Sequence, residues 1–190
     1  PNDEVRNDFK SALSVIENRC DSLLEFTDKY RKLVRITTPQ KDYFSLASLF
    51  EKLERLNAKQ LEGVDYRREG DFEDFVLFGD EKQLMHVFEN LLFNSLQAFD
   101  RNKVRYPKLR VELSEMKSEF LILFKDNGGG IPEEALPYIF LPFYTTQEEG
   151  SGIGLSVARQ ILAKHKGQIN WVREKAPFTT FSIRIPKGRG

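Results

Sequence analysis

A chain of 190 residues, 40% hydrophobic and 31% charged, holds enough apolar material for one well-buried domain with an appendage, or for two small domains. Its 29 basic and 29 acidic residues cancel, which excludes a global basic field that would draw in nucleic acid or an anionic membrane. The single cysteine, Cys20, excludes an intrachain disulfide and a cysteine-based zinc site, as suits a reducing cytoplasm, and the longest apolar runs are strand-length, too short to cross a bilayer. The chain opens on Pro1-Asn2-Asp3-Glu4 without a secretory signal pattern and is expected to be a piece of a larger protein.

Residues 3–36 read as one long helix. Phe9, Leu13, Ile16, Cys20, Leu23, Thr27, Tyr30 and Val34 recur at alternating spacings of four and three, a heptad seam that Leu24, Phe26 and Leu33 widen. Such a stripe either packs in a helical bundle or folds back on its own domain. The length of the seam and the joint at Pro39 favour the bundle. The division falls at residue 38, with one unit over 1–38 and another over 39–190.

After Pro39, residues 42–46 read as a short strand. A helix capped by Ser45 or Ser48 follows to about Gln60, with Leu49, Phe50, Leu53 and Leu56 on its apolar face. Val64 to Arg68 and Phe75 to Phe78 are strands, the second closed by Gly79. Asp80 is placed as an N-cap with Gln83 three residues on. The helix it opens carries an apolar face of Leu84, Val87, Phe88, Leu91, Leu92 and Leu96. Asn90, Asn94 and Gln97 form a second, amide stripe along one line. Leu109 to Leu113 alternates as a strand. Phe120 to Lys125 is nearly all apolar, which predicts a central strand covered on both faces. Residues 126–150 are rich in glycine and proline, and a loop of that length is usually functional, often a lid. A helix over 152–166, with Ile153, Leu155, Val157, Ile161 and Leu162 inward, stops at Gly167. Residues 168–173 and 178–185 close the chain as paired strands. The sum is α/β: one mixed sheet with helices on one side.

The amide stripe alone is a solvated polar edge, and Asp126-Asn127-Gly128 alone is a plain turn. Together they say more. Gly128, Gly129 and Gly130 let the backbone approach a flat ligand, and the Asp126 carboxylate can accept hydrogen bonds from an exocyclic amine. Gly150, Gly152 and Gly154 open a helix, where free N–H groups and the positive dipole end suit phosphate. The spacing supports neither a Rossmann site nor a P-loop. Asn90 and Asn94 are acceptable oxygen donors for Mg²⁺.

Four segments then carry a resemblance. Residues 90–94 (Asn-Leu-Leu-Phe-Asn), 126–131 (Asp-Asn-Gly-Gly-Gly-Ile), 139–146 (Ile-Phe-Leu-Pro-Phe-Tyr-Thr-Thr) and 150–156 (Gly-Ser-Gly-Ile-Gly-Leu-Ser) resemble, in order, the N, G1, F and G2 boxes of sensor histidine kinases. Residues 179–186 resemble that family's last strand. The likeness covers about 44–186 and implies a two-layer sandwich of a mixed β-sheet and helices, the Bergerat ATP-binding fold, preceded by the coiled-coil-like helix. It implies ATP and Mg²⁺ as cofactors. Asn94 becomes the metal ligand, Asn90 a support for metal and phosphates, and these two the catalytic pair. Asp126 reads adenine with Thr179 through water, and Gly128 and Gly130 shape the adenine floor. Gly150, Gly152 and Gly154 wrap the phosphates, and the lid runs over 132–149. Gln97, Ile131, Thr145, Thr146, Ser151, Ile153 and Leu155 complete the implied ATP-binding set.

By the same resemblance, the heptad helix is the second helix of a dimerisation and phosphoacceptor hairpin. It implies a homodimeric parent, membrane-anchored or cytoplasmic, and a response regulator as partner. The acceptor histidine is not in the chain, because neither His86 nor His165 has the surroundings of the acceptor box. His86 is read as a structural or pocket-edge residue, and His165 as a partner of a helix C-terminus. Gln147 stands where many relatives carry a basic lid residue, and Phe178 where a glycine commonly precedes the threonine. Two other readings remain: an ATPase of the same fold, gyrase- or chaperone-like, and a non-catalytic nucleotide-binding or dimerisation module. The first wants a glutamate where this chain has Asn90.

Overall fold

The computed structural model describes residues 10, 13–17, 19–20, 24, 27, 36–72, 75–146, 150–175 and 177–187. The chain divides into two compact units, Pro1–Ile36 and Thr37–Gly190. In the first, Leu13, Ile16, Cys20, Leu24 and Thr27 of the seam are helical with exposed side chains. Phe9, Leu23, Phe26, Tyr30, Leu33 and Val34 lie outside the described residues.

The second unit runs β1 (Asp42–Ser45), α1 (Leu46–Leu56), β2 (Asp65–Glu69), β3 (Val76–Gly79), α2 (Glu81–Arg101), β4 (Lys108–Glu115), β5 (Glu119–Asp126), α3 (Gly154–Lys164), β6 (Gln168–Val172) and β7 (Thr179–Pro186). A single 3₁₀ turn, Glu133–Ala135, lies between β5 and α3. Five strands form one mixed sheet in the order β2-β4-β5-β7-β6, with β2 and β4 parallel and the other pairs antiparallel. The single sheet expected from sequence is corrected: β1 and β3 pair antiparallel as a ribbon of their own. Strand propensity marks both segments as extended, but which strands pair is settled only by tertiary packing.

The local chemistry of each helix is plain. The Ser45 hydroxyl caps α1 by accepting from the Ser48 N–H at 3.3 Å. The inward line Leu46, Leu49, Phe50, Leu53 continues to Asn57, whose buried amide donates to the Leu53 carbonyl at 2.8 Å. Leu56, expected on that face, is exposed, because the helix ends there and the line passes it. Asp80 caps α2, accepting from the Gln83 N–H at 3.0 Å. The buried face of α2 is Leu84, Val87, Phe88, Leu91, Leu92, Ser95 and Phe99, so the serine rather than the half-buried Leu96 lies on the core line. Phe50 packs between Phe72 and Phe88, with centroids 5.2 and 4.8 Å away.

Strand β5 is central, but one face only is sealed. Phe120, Ile122, Phe124 and Asp126 are buried, whereas Leu121, Leu123 and Lys125 alternate half-exposed. The expected two-sided cover is therefore corrected: the helices lie on one side, and the other side is an outer face. Helix α3 starts at Gly154 and turns Ser156, Ala158, Ile161 and Leu162 inward, leaving Leu155 and Val157 half-buried. No helix among the described residues is long and apolar enough to cross a membrane.

Asp80 also joins the two long helices. Its backbone N–H donates to His165 Nε2 at 2.9 Å, and its carboxylate accepts from the Gln40 N–H at 2.8 Å. His165 Nδ1 lies 2.8 Å from the Ile161 carbonyl. A backbone donor at Nε2 requires that nitrogen to be bare, so Nδ1 carries the proton and donates to Ile161. This is the contact with a helix C-terminus read from sequence. Burial holds the His165 pKa below its ordinary 6.5. A depressed folded pKa means that the contribution to stability is complete above 6.5 and is lost as pH falls through the lower folded value. The urea midpoint should accordingly drop between about pH 7 and 5, and His165→Gln should flatten that dependence. An unchanged slope in the variant would exclude His165 as its source.

Candidate functional site

The polar stripe of α2, the end of β5, the 3₁₀ segment and the start of α3 enclose a cavity of about 340 Å³. Asn90, Asn94, Gln97, Asp126, Gly130, Ile131, Thr145, Thr146, Gly150, Ser151, Gly152, Gly154, Leu155 and Thr179 all line it. The structure thus brings together most of the residues picked from sequence. Ile153 is buried behind the wall, at the N-cap of α3, and Gly128 supports the floor without lining the cavity.

Asp126 is 4% exposed. One carboxylate oxygen accepts from the Gly128 N–H at 2.8 Å, and the other from the Ser95 hydroxyl at 3.0 Å. Burial pushes its pKa up, while the bonds from Gly128, Ser95 and Thr179 draw it back down. The register places Asp126 beside Thr179 on β7. Gly128 has to be glycine, since a Cβ there would sit 2.6 Å from the Ala98 Cβ and 2.7 Å from the Asp126 carboxylate. The Asn102 amide donates to the Gly128 carbonyl and pins the loop to the end of α2.

Opposite this floor is the α3 N-terminus. Its N-cap residue, Ile153, makes no side-chain cap bond, so the first N–H groups of the helix are left for another acceptor. Gly152 takes φ +66, and a Cβ on it would strike the Phe143 backbone at 2.6 Å. A Cβ on Gly154 would stand 3.1 Å from Asn90 Oδ1, so that amide lies directly against the glycine loop. An uncapped helix start beside amide oxygens suits an anion together with a hard cation. Among the described residues no cluster of His, Cys, Asp or Glu could cage a metal. Asn90 and Asn94 bring side-chain amide oxygens to this cavity, donors of a kind that suits a hard cation such as Mg²⁺.

The base of the lid is fastened. Phe140 meets Phe181 edge-on at 6.3 Å, Arg159 lies 5.4 Å over the Phe140 ring, and Arg173 pairs with Glu133 at 2.7 Å. Residues 147–149, including Gln147, lie outside the described residues. Phe178 sits under Lys125, 5.7 Å from its ring centroid, and does not line the cavity. His86 is exposed beside Glu89, 3.1 Å away, and is not part of the cavity wall.

Sequence reasoning missed Ser95, Asn102, Arg101 and the apolar wall of Phe93, Ala98 and Phe181, and it had Ala135, Ile139 and Tyr144 only as parts of the lid. Ser95 had a signal, since it falls on the line Leu84, Phe88, Leu91, Ser95, Phe99, where a buried hydroxyl must find a partner. Arg101 continues the amide line by one more turn.

The family described as "Histidine kinase-, DNA gyrase B-, and HSP90-like ATPase" matches residues 79–189, and the chain belongs to it. Within that family the chain is homologous to sensor histidine kinases, and its fold is that of their catalytic domain. Sporulation kinase A of Bacillus subtilis is 31% identical over 162 residues, covering 82% of this chain and 26% of that protein. The catalytic domain of histidine kinase ThkA superposes with a TM-score of 0.70 at 28% identity, over 78% of this chain and 96% of that one. ThkA in complex with the response regulator TrrA gives 0.72 at 24% identity, over 92% of this chain and 50% of that one, a likeness of fold. The chain spans about a quarter of the length of sporulation kinases A and C.

Ser95→Ala should raise the Asp126 pKa further, read by NMR titration of its carboxyl carbon, and should cost about 1–3 kcal/mol of stability in denaturation. An unmoved titration would mean that Ser95 does not hold the carboxylate.

Proposed function

We propose that this chain binds ATP with Mg²⁺ in the cavity and is the catalytic part of a longer sensor histidine kinase. Its parent transfers the γ-phosphoryl of ATP to a histidine for relay to an aspartate on a response regulator. The carrying observation is that Asn94, Asp126 and Gly152, far apart in sequence, line one cavity. The support from relatives is that several of them, CssS of Bacillus subtilis and ZraS of Escherichia coli among them, are named as sensor histidine kinases.

In this reading Asp126 accepts the adenine amine, with Thr179 beside it through water, over a floor made by Gly128, Gly130 and Ile131. Asn94 is the metal ligand, and Asn90 steadies metal and phosphates. Gln97 flanks the nucleotide on α2. The N–H groups of residues 150–154 hold the phosphates at the start of α3, with Leu155 beside them and Ile153 packed behind. Thr145 and Thr146 close from the lid. Mg²⁺, held by Asn94 with Asn90 in support, would supply charge neutralisation at the phosphates. The rest of the catalysis is positioning. His165 uses both ring nitrogens internally, and His86 lacks the sequence surroundings of the acceptor box, so neither is read as the acceptor. The acceptor belongs to another part of the parent. The heptad helix is its dimerising element, and the cytoplasm is its compartment.

Free ATP should turn over slowly. A water-activating carboxylate is wanted one turn before Asn94, and Asn90 there is an amide. Glu89 is rotated by about 100° on the helix. ATPase-like turnover of free nucleotide would favour the gyrase- or chaperone-type reading. Asn94→Ala and Asp126→Ala should each weaken binding of a non-hydrolysable Mg·ATP analogue about tenfold or more in calorimetry, with the Asn94→Ala loss confined to the presence of Mg²⁺. A wild-type chain that binds no analogue at ligand concentrations on the order of millimolar would instead be a non-catalytic module.

A further inference from the structure

Fourteen residues picked from sequence line the cavity, and none of them is a cation. Among all its described lining residues, Asp126 is the only acidic side chain and Arg101 the only basic one. They differ in setting: Asp126 is buried on the floor, whereas Arg101 is exposed in the last turn of α2. We propose that Arg101 is a nucleotide-binding residue that pairs with the phosphate chain of the bound nucleotide from the α2 side. The inference rests on the reading of this cavity as an ATP site.

Helix geometry supports it. Arg101 lies seven residues after Asn94, which is 700° of rotation, so the two share a face about 10.5 Å apart along the axis. Side chains on a helix lean toward its N-terminus, which tilts Arg101 back over Gln97 toward Asn94. Its Nη1 donates to the Thr146 hydroxyl at 3.5 Å, across the cavity mouth to the lid. That is a long bond to a neutral group, and among the described residues no carboxylate pairs with this guanidinium. Arg101 thus has its donors on the wall of the cavity at the end of α2 beside the Gly128–Gly129 loop, while the uncapped start of α3 lies further along α2, against Asn90. A phosphate chain running from the floor toward that helix start would pass the guanidinium fork before it reaches the backbone N–H groups. A bland alternative exists: a cation at a helix C-terminus also favours the dipole and needs no ligand.

The test compares wild type, Arg101→Gln and Arg101→Lys by calorimetric titration with Mg·ATP analogue, Mg·ADP and adenosine. Arg101→Gln should weaken the ATP analogue about tenfold or more, ADP by less, and adenosine not at all. Arg101→Lys should restore much of the loss, since the charge remains. Unfolding curves of the variants should overlay wild type, because the side chain is exposed. Equal loss for all three ligands, or no loss for any, overturns the assignment while leaving the ATP site standing. A wild type that binds none of the three overturns both.

Discussion

A carboxylate that is 4% exposed cannot stay ionised unless donors replace its water, and that requirement organises the second unit. The donors to Asp126 come from three places: the Ser95 hydroxyl on α2, the Gly128 N–H in the following loop, and Thr179 on the neighbouring strand. To satisfy one group, the end of the central strand, the middle of the longest helix and the start of the last strand must meet. The close approach of Gly128 to Ala98 follows from it, since α2 can reach Asp126 only where the loop has no side chain in the way. The Asn102 bond to Gly128 holds the same seam one turn further on.

The cavity inherits its polarity from this arrangement. Its floor carries one acidic group at the end of a strand, and its far wall is a helix start whose N–H groups have no side-chain cap. Such a surface is acceptor-rich at one end and donor-rich at the other. An adenine nucleotide has the opposite order, an amine at one end and oxyanions at the other, so the two match only one way round. The base of the lid meets the sheet and α3 through Phe140, which packs on Phe181 and under Arg159.

Sequence periodicity alone was enough for the helices and strands of the second unit. Asp80, Ser45, the apolar lines and the glycine stops are local physics, and each element follows from neighbours within a few residues. The glycine boxes and the amide stripe were legible for a similar reason: backbone approach and helix-start chemistry leave a mark in residue type. Tertiary structure alone decided the rest. Strand pairing separated β1 and β3 into a ribbon, because hydrogen-bond partners far along the chain are not encoded in alternation. One-sided cover of β5 depended on where the helices fell, and Leu121 and Leu123 are apolar on either outcome. Ser95 and Arg101 became site residues only when α2 was laid beside β5 and the lid. A serine in an apolar line, or an arginine at a helix end, has a satisfactory local explanation, and only the neighbours brought in by folding give either of them a second one.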